Sequence, residues 1–143
     1  LPSGYAFTTP LADFQPVMYP TPGVSGDVLI RTTAPLTWSE WDATGLVRLF
    51  TVPAGFLCDG ASIPRRMWAW IGHPLSGRFV RAATLHDWGY RFPNGETRAE
   101  IDTRFRRGLD VDGVSGLRRL AMYLGVRAGG WIAWNRYRAL DTE

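Results

Sequence analysis

Asp59-Gly60-Ala61-Ser62-Ile63-Pro64 separates two kinds of pattern in this chain. Before it, apolar residues recur with a period of two; after it, with a period of 3.6. Gly60 admits an unusual backbone angle and Pro64 suits the first turn of a helix. The stretch therefore reads as the loop that closes a β segment and opens a helical one.

Working back from that loop, Leu46-Val47-Arg48-Leu49-Phe50-Thr51-Val52 is the best strand, dense in β-branched and aromatic residues. Asp42-Ala43-Thr44-Gly45 supplies the turn before it. Leu36–Glu40 and Asp27–Thr32 read as two further strands, and Phe56-Leu57-Cys58 resumes briefly after the break at Pro53-Ala54-Gly55. Residues 1–25 carry Pro2, Pro10, Pro16, Pro20 and Pro22. Proline at that density blocks helix and central strand alike. They are predicted to be an extended arm, with residues 26–143 forming one domain.

Working forward, Ser76 is placed to cap a helix with Phe79, Ala82, Ala83, His86 and Tyr90 on its buried stripe, ended by Phe92-Pro93-Asn94-Gly95. Thr97-Arg98-Ala99-Glu100 is a capping box, opening a helix that buries Ile101, Phe105 and Leu109. Over residues 114–138, Leu117, Leu120, Ala121, Leu124, Ala128 and Ile132 fall at helical spacing, with Gly125 and Gly129-Gly130 allowing a bend or close packing. The predicted class is α+β: a small antiparallel β meander followed by a bundle of three to four helices.

Composition excludes several functions. With 143 residues, 45% of them hydrophobic, the chain can bury a core and is not globally disordered. No apolar run is long enough to cross a membrane as a helix. The first residues lack a basic segment followed by an apolar one, so no secretory leader is expected in this chain. A single cysteine, Cys58, rules out an intrachain disulfide and a thiolate cluster. All 16 basic residues are arginine; without lysine, P-loop and Schiff-base chemistry are excluded. Residues 60–143 hold 14 of those arginines against eight acids. Arg65-Arg66, Arg104-Arg106-Arg107 and Arg118-Arg119 suit phosphate or ordinary solvated helix faces equally.

The residues able to carry chemistry centre on His86-Asp87-Trp88-Gly89-Tyr90 and Asp102. His86 sits on the apolar stripe of its helix, and Asp87 projects about 100° further round. Two antiparallel helices joined by a short turn bring Asp102 within reach of His86. A carboxylate on one ring nitrogen fixes the tautomer and leaves the other as a general base. The competing reading is a satisfied core histidine. Asp59 and Asp87 are the candidate metal ligands, and an all-oxygen set suits calcium or magnesium better than zinc. Asp59 reads equally as an Asx-turn or cap of its loop.

Two resemblances follow from these strings. Val52-Pro53-Ala54-Gly55-Phe56, then Asp59 through Arg65, then His86-Asp87 with Tyr90, then Asp102, resembles an uncharacterised domain family of tailed bacteriophages and prophages over roughly residues 26–134. Leu85 through Arg91 is similar to the catalytic helix of the small prokaryotic secreted phospholipases, as are Ile101-Asp102-Thr103-Arg104-Phe105 and Met122 through Arg127 to later helices. That resemblance implies that His86 activates water, Asp102 orients His86, Tyr90 belongs to the same catalytic string, and Asp87 ligates calcium beside ligands from the Asp59 loop. This chain departs from those enzymes in having one cysteine and a shorter spacing between His86 and Asp102.

The expected function is a phage-associated hydrolase acting on lipid or another cell-envelope ester. The alternative is a non-enzymatic virion or tail component that contacts phage structural proteins through residues 1–25. Location in a virion or in the host bacterial cytoplasm goes with either. Nucleic acid is not an expected partner, because no recognition helix or aromatic platform is identifiable.

Overall fold

A computed structural model describes residues 4–7, 14–18, 28–58 and 77–142, with 14–18 and 28–31 described by their backbone. Their strands are β1 (Gly4–Phe7), β2 (Phe14–Met18), β3 (Val28–Thr32), β4 (Leu36–Asp42), β5 (Gly45–Val52) and β6 (Leu57–Cys58). The helices are α1 (Val80–Arg91), α2 (Arg98–Val111), α3 (Gly116–Gly129) and α4 (Trp131–Leu140). The α+β class expected from the sequence holds. Among the described residues the strands form two antiparallel sheets, β1-β4-β5 and β2-β3-β6.

Two of these strands lie inside the stretch read as an extended arm. β1 pairs with β4 from Gly4 opposite Trp41 to Phe7 opposite Trp38, and β2 pairs with β3 with Pro16 opposite Ile30. Both are edge strands. A proline lacks the N–H that a central strand needs, and an edge tolerates that loss. Proline density argues against a central strand, but it does not separate an unpaired arm from an edge strand.

The β4–β5 hairpin turns at Asp42–Gly45, where Asp42 accepts from the backbone and hydroxyl of Thr44 and Gly45 takes φ 124°. β4 points Leu36 and Trp38 into the core, while Leu46, Val47 and Leu49 on β5 face solvent. Thr32 ties the two sheets' connecting turn: its hydroxyl donates to the Pro53 carbonyl and accepts from Phe56 N–H. That bond sets β6, and with it Cys58, beneath α1.

α1 is the central helix. It follows a short 3-10 turn, Gly77–Phe79, and Phe79 precedes it without a side-chain cap. The expected cap, Ser76, lies outside the described residues. Phe92-Pro93 ends α1, and Asn94 (φ 51°) and Gly95 (φ 86°) reverse the chain. Thr97 then starts α2 with both hydrogen bonds of the expected capping box. Such a short reversal makes α1 and α2 antiparallel neighbours. Gly89 lets them close: a Cβ there would lie 2.7 Å from Ile101 Cγ2.

α3 corrects the sequence reading. Leu117, Leu120, Leu124 and Ile132, read as falling at helical spacing, are exposed, and Met122, Gly125, Val126 and Ala133 are the buried residues. Met122 and Val126 pack with Phe79, Ala82, Phe105, Leu109 and Val114 in the helical core. α3 carries apolar residues on two faces, and spacing alone does not say which one meets the core. Gly130 separates α3 from α4, and its own small size is required: a Cβ there would lie 2.5 Å from the Tyr90 hydroxyl.

Candidate functional site

His86 and Asp102 lie equally far from the reversal at Asn94, so the antiparallel α1–α2 pair sets them opposite each other. His86 Nε2 is 2.7 Å from Asp102 Oδ1, and the Tyr90 hydroxyl donates to the same oxygen at 2.6 Å. With the carboxylate ionised, Nε2 carries the ring proton and donates it to Asp102. The tautomer then leaves Nδ1 as the basic nitrogen. The imidazole is 2% exposed and packs against Tyr90 (ring centroids 4.2 Å) and Phe105 (4.9 Å).

The second oxygen of Asp102 serves two cations. Arg127 Nη1 of α3 lies 2.7 Å from Oδ2, and Arg98 Nη1 of α2 lies 3.3 Å away. Arg98 also donates to the carbonyls of Val126 and Arg127 near the end of α3, the first of which also accepts from Gly130 N–H. Asp102 is itself fully buried. A buried carboxylate is costly unless it is paired and hydrogen-bonded, and this one is both, through donors from three helices.

Burial pushes the Asp102 carboxyl up, but the hydrogen bonds from His86, Tyr90 and Arg127 outweigh it and hold it below the usual carboxylate range. For Tyr90, burial and then the bond to Asp102 push the phenol well above its ordinary value. The depressed Asp102 value means that its ionised form adds stability present in full above the unfolded-state value, about 3.9, and lost as pH falls through the lower folded value. Urea midpoints are therefore expected to fall as pH drops below about 4. Asp102→Asn should remove part of that slope; an unaltered slope would contradict the assignment.

Asp87 faces the sheet side of α1. It is 4% exposed, and Cys58 Sγ donates to its Oδ2 at 3.1 Å. Asp59, the other expected ligand, lies outside the described residues. Among the described residues no three histidine, cysteine, aspartate or glutamate side chains gather to hold a metal. Calcium requires six to eight oxygen ligands. Of the two expected ligands the described residues hold Asp87 alone, whose Oδ2 accepts from Cys58 Sγ.

The structure thus brings together His86, Asp102 and Tyr90 and sets Asp87 apart with Cys58. Sequence reasoning missed Arg98 and Arg127 as partners of Asp102. A signal was present for Arg98, which stands four residues before Asp102 on one helix face. Arg127 comes from a distant helix, and no local spacing points to it. Gly89 and Gly130, which let the helices and Tyr90 approach, were not read as parts of the site. Arg104, read as a phosphate-binding or solvated arginine, is instead buried. It bonds Glu96, lies 3.7 Å from Glu40 and sits 3.6 Å over the Phe50 ring, tying α2 to the first sheet.

Fold and site together define an α+β domain in which a buried histidine–aspartate–tyrosine cluster joins two antiparallel helices. A family model described as "Protein of unknown function (DUF1353)" matches residues 34–126, and the chain belongs to that family. The match runs from before β4 into α3 and contains His86, Asp87, Tyr90, Asp102, Arg98 and the Asp59 loop. An 81-residue stretch, 55% of this chain, is 38% identical to "Uncharacterized protein y4jT" of Sinorhizobium fredii. The match spans 23% of that protein's length. No solved structure matches the chain. No helix of the described residues is long and apolar enough to cross a membrane.

Proposed function

We propose that this domain is a hydrolase in which His86 is the general base and Asp102 its orienting carboxylate. The observation that carries this reading is the Asp102 oxygen shared by His86 Nε2 at 2.7 Å and the Tyr90 hydroxyl at 2.6 Å. Two donors on one oxygen fix the carboxylate, and the carboxylate fixes the ring. Nδ1 is then the nitrogen that takes a proton from water as the water attacks an ester carbonyl. The proton returns from Nδ1 to the departing alkoxide, so the ring ends the cycle as it began. The substrate class is a lipid or other cell-envelope ester, the chemistry of the phospholipases that the His86–Arg91 string resembles. The proposed steps use His86, Asp102 and water. A requirement for calcium through Asp87 and the Asp59 loop stays a separate proposal, read by activity with and without EDTA.

A second reading has its own observation. The imidazole is 2% exposed, and every hydrogen-bonding lone pair of Asp102 faces a donor, as in a satisfied core network. In that reading the domain is a scaffold in a virion or tail, with contacts through residues 1–25. The pairing of β1 with β4 and β2 with β3 holds those parts of the arm inside the chain, while each, as an edge strand among the described residues, still presents one side of its backbone to a partner.

Hydrolysis of phosphatidylglycerol and of short-chain nitrophenyl esters by the full chain separates the two. His86→Ala is expected to abolish turnover, with a loss on the order of 10³-fold, while a folded far-UV spectrum is retained. Hydrolysis unchanged in folded His86→Ala would end the enzymatic reading.

A further inference from the structure

We infer that β5 is a docking edge for a second copy of this chain, joined strand to strand. The two described sheets have four edges: β1, β5, β2 and β6. An open edge offers unpaired N–H and C=O groups to any extended segment, and folds blunt such edges by shortness or proline. β1 and β6 offer four and two residues, and β2 is interrupted by Pro16. β5 runs for eight residues without proline, and its far side meets no described strand. Its Leu46, Val47 and Leu49 are 64%, 54% and 57% exposed. Val52 is fully buried, so the open stretch covers residues 46–51. A groove of about 400 Å³ borders Arg48, Leu49 and Phe50 and reaches the α1–α2 reversal at Asn94 and Gly95, which leaves room beside the edge.

The backbone requires an extended occupant, and charge selects which one. Arg48 is the one charged residue of the open stretch, and Glu96 already meets it at 2.9 Å. The edge is therefore neutral and holds no uncompensated charge to recruit an acidic or basic peptide. It fits a strand that is itself apolar and neutral, and β5 is such a strand. A two-fold axis through Leu49 sets the two copies of β5 antiparallel, as an isologous contact requires. Leu49 then faces Leu49 of the second copy, and Arg48 faces Phe50, so no arginine stands directly opposite its mate. The bulge between Glu40 and Trp41 disturbs the register only toward the hairpin end. The result is one continuous six-stranded sheet across the axis. This inference goes beyond the hydrolase reading and does not depend on it, because it concerns assembly and not turnover.

The test is sedimentation velocity of the full chain across a concentration series, where a monomer–dimer equilibrium is expected. Leu49→Lys sets like charges directly opposite across the axis and should raise the dissociation constant on the order of tenfold or more, with an unchanged far-UV spectrum. Leu49→Cys keeps the test valid if the lysine variant folds poorly. Self-facing positions in an antiparallel pair lie within disulfide reach, so mild oxidation should give a covalent dimer. Thr51→Cys, four residues out of register with its mate, should not. A monomer at every concentration would overturn the proposal, as would a dimer unchanged in folded Leu49→Lys. Covalent dimers from Thr51→Cys and none from Leu49→Cys would overturn it as well. So would a dimer that Leu117→Ser dissolves and Leu49→Lys leaves intact, since the contact would then lie on α3.

Discussion

Asp102→Asn is expected to destabilise the domain by about 3 kcal/mol, toward the lower end of what breaking a buried ion pair costs. Solvent reaches both partner arginines, which tempers the loss. All the groups on Asp102 are donors: His86 Nε2 and the Tyr90 hydroxyl on one oxygen, Arg98 and Arg127 on the other. Asparagine must turn its NH2 toward one of these pairs, setting donor against donor. If the NH2 faces His86, the ring is driven to the other tautomer and Nδ1 is no longer free to accept a proton. Hydrolysis should then fall by a factor on the order of 10³–10⁴. Urea denaturation gives the first quantity and ester turnover the second. A variant as stable as the parent would show that Asp102 is not the node of the network.

Gly130→Ala is the second large effect expected. An added Cβ would meet the Val126 carbonyl, which is backbone and cannot give, and would lie 2.5 Å from the Tyr90 hydroxyl and 3.3 Å from its ring. Overpacking of this kind costs about 1–3 kcal/mol, and here the yielding atom is the one that holds Asp102. The expected result is a loss of about 2–3 kcal/mol together with reduced turnover. Tyr90→Phe in the same chain removes the hydroxyl clash and should recover part of the stability without recovering the turnover. An unaffected urea midpoint in Gly130→Ala would mean that α3 and α4 do not approach Tyr90 in this way.

The sequence made the site more legible than the surface. His86, Tyr90 and Asp102 could be placed together because local signals agreed: an apolar stripe, a Pro-Asn-Gly reversal and a capping box that fixes the start of α2. Strands β3 to β6 were legible for the same reason, from alternation and turn residues. What stayed hidden depends on contacts between distant segments. Arg127 meets Asp102 only once α3 docks on α2. The two apolar faces of α3 are equivalent by spacing, so the core-facing one was misread. The proline-rich start hid two edge strands, because proline forbids a central position and is silent about an edge. The proposed metal site was read from residue types, and the thiol of Cys58 on Asp87 entered only with the fold.

The central claim is that Asp102 holds the His86 ring with its proton on Nε2. Long-range ¹H–¹⁵N correlation spectra of the histidine rings read this directly, with His86→Ala assigning the signal. The account requires a neutral His86 ring protonated at Nε2 in the parent, and loss of that fixed state in Asp102→Asn. A ring protonated at Nδ1, or one averaging between tautomers in the parent, would contradict it.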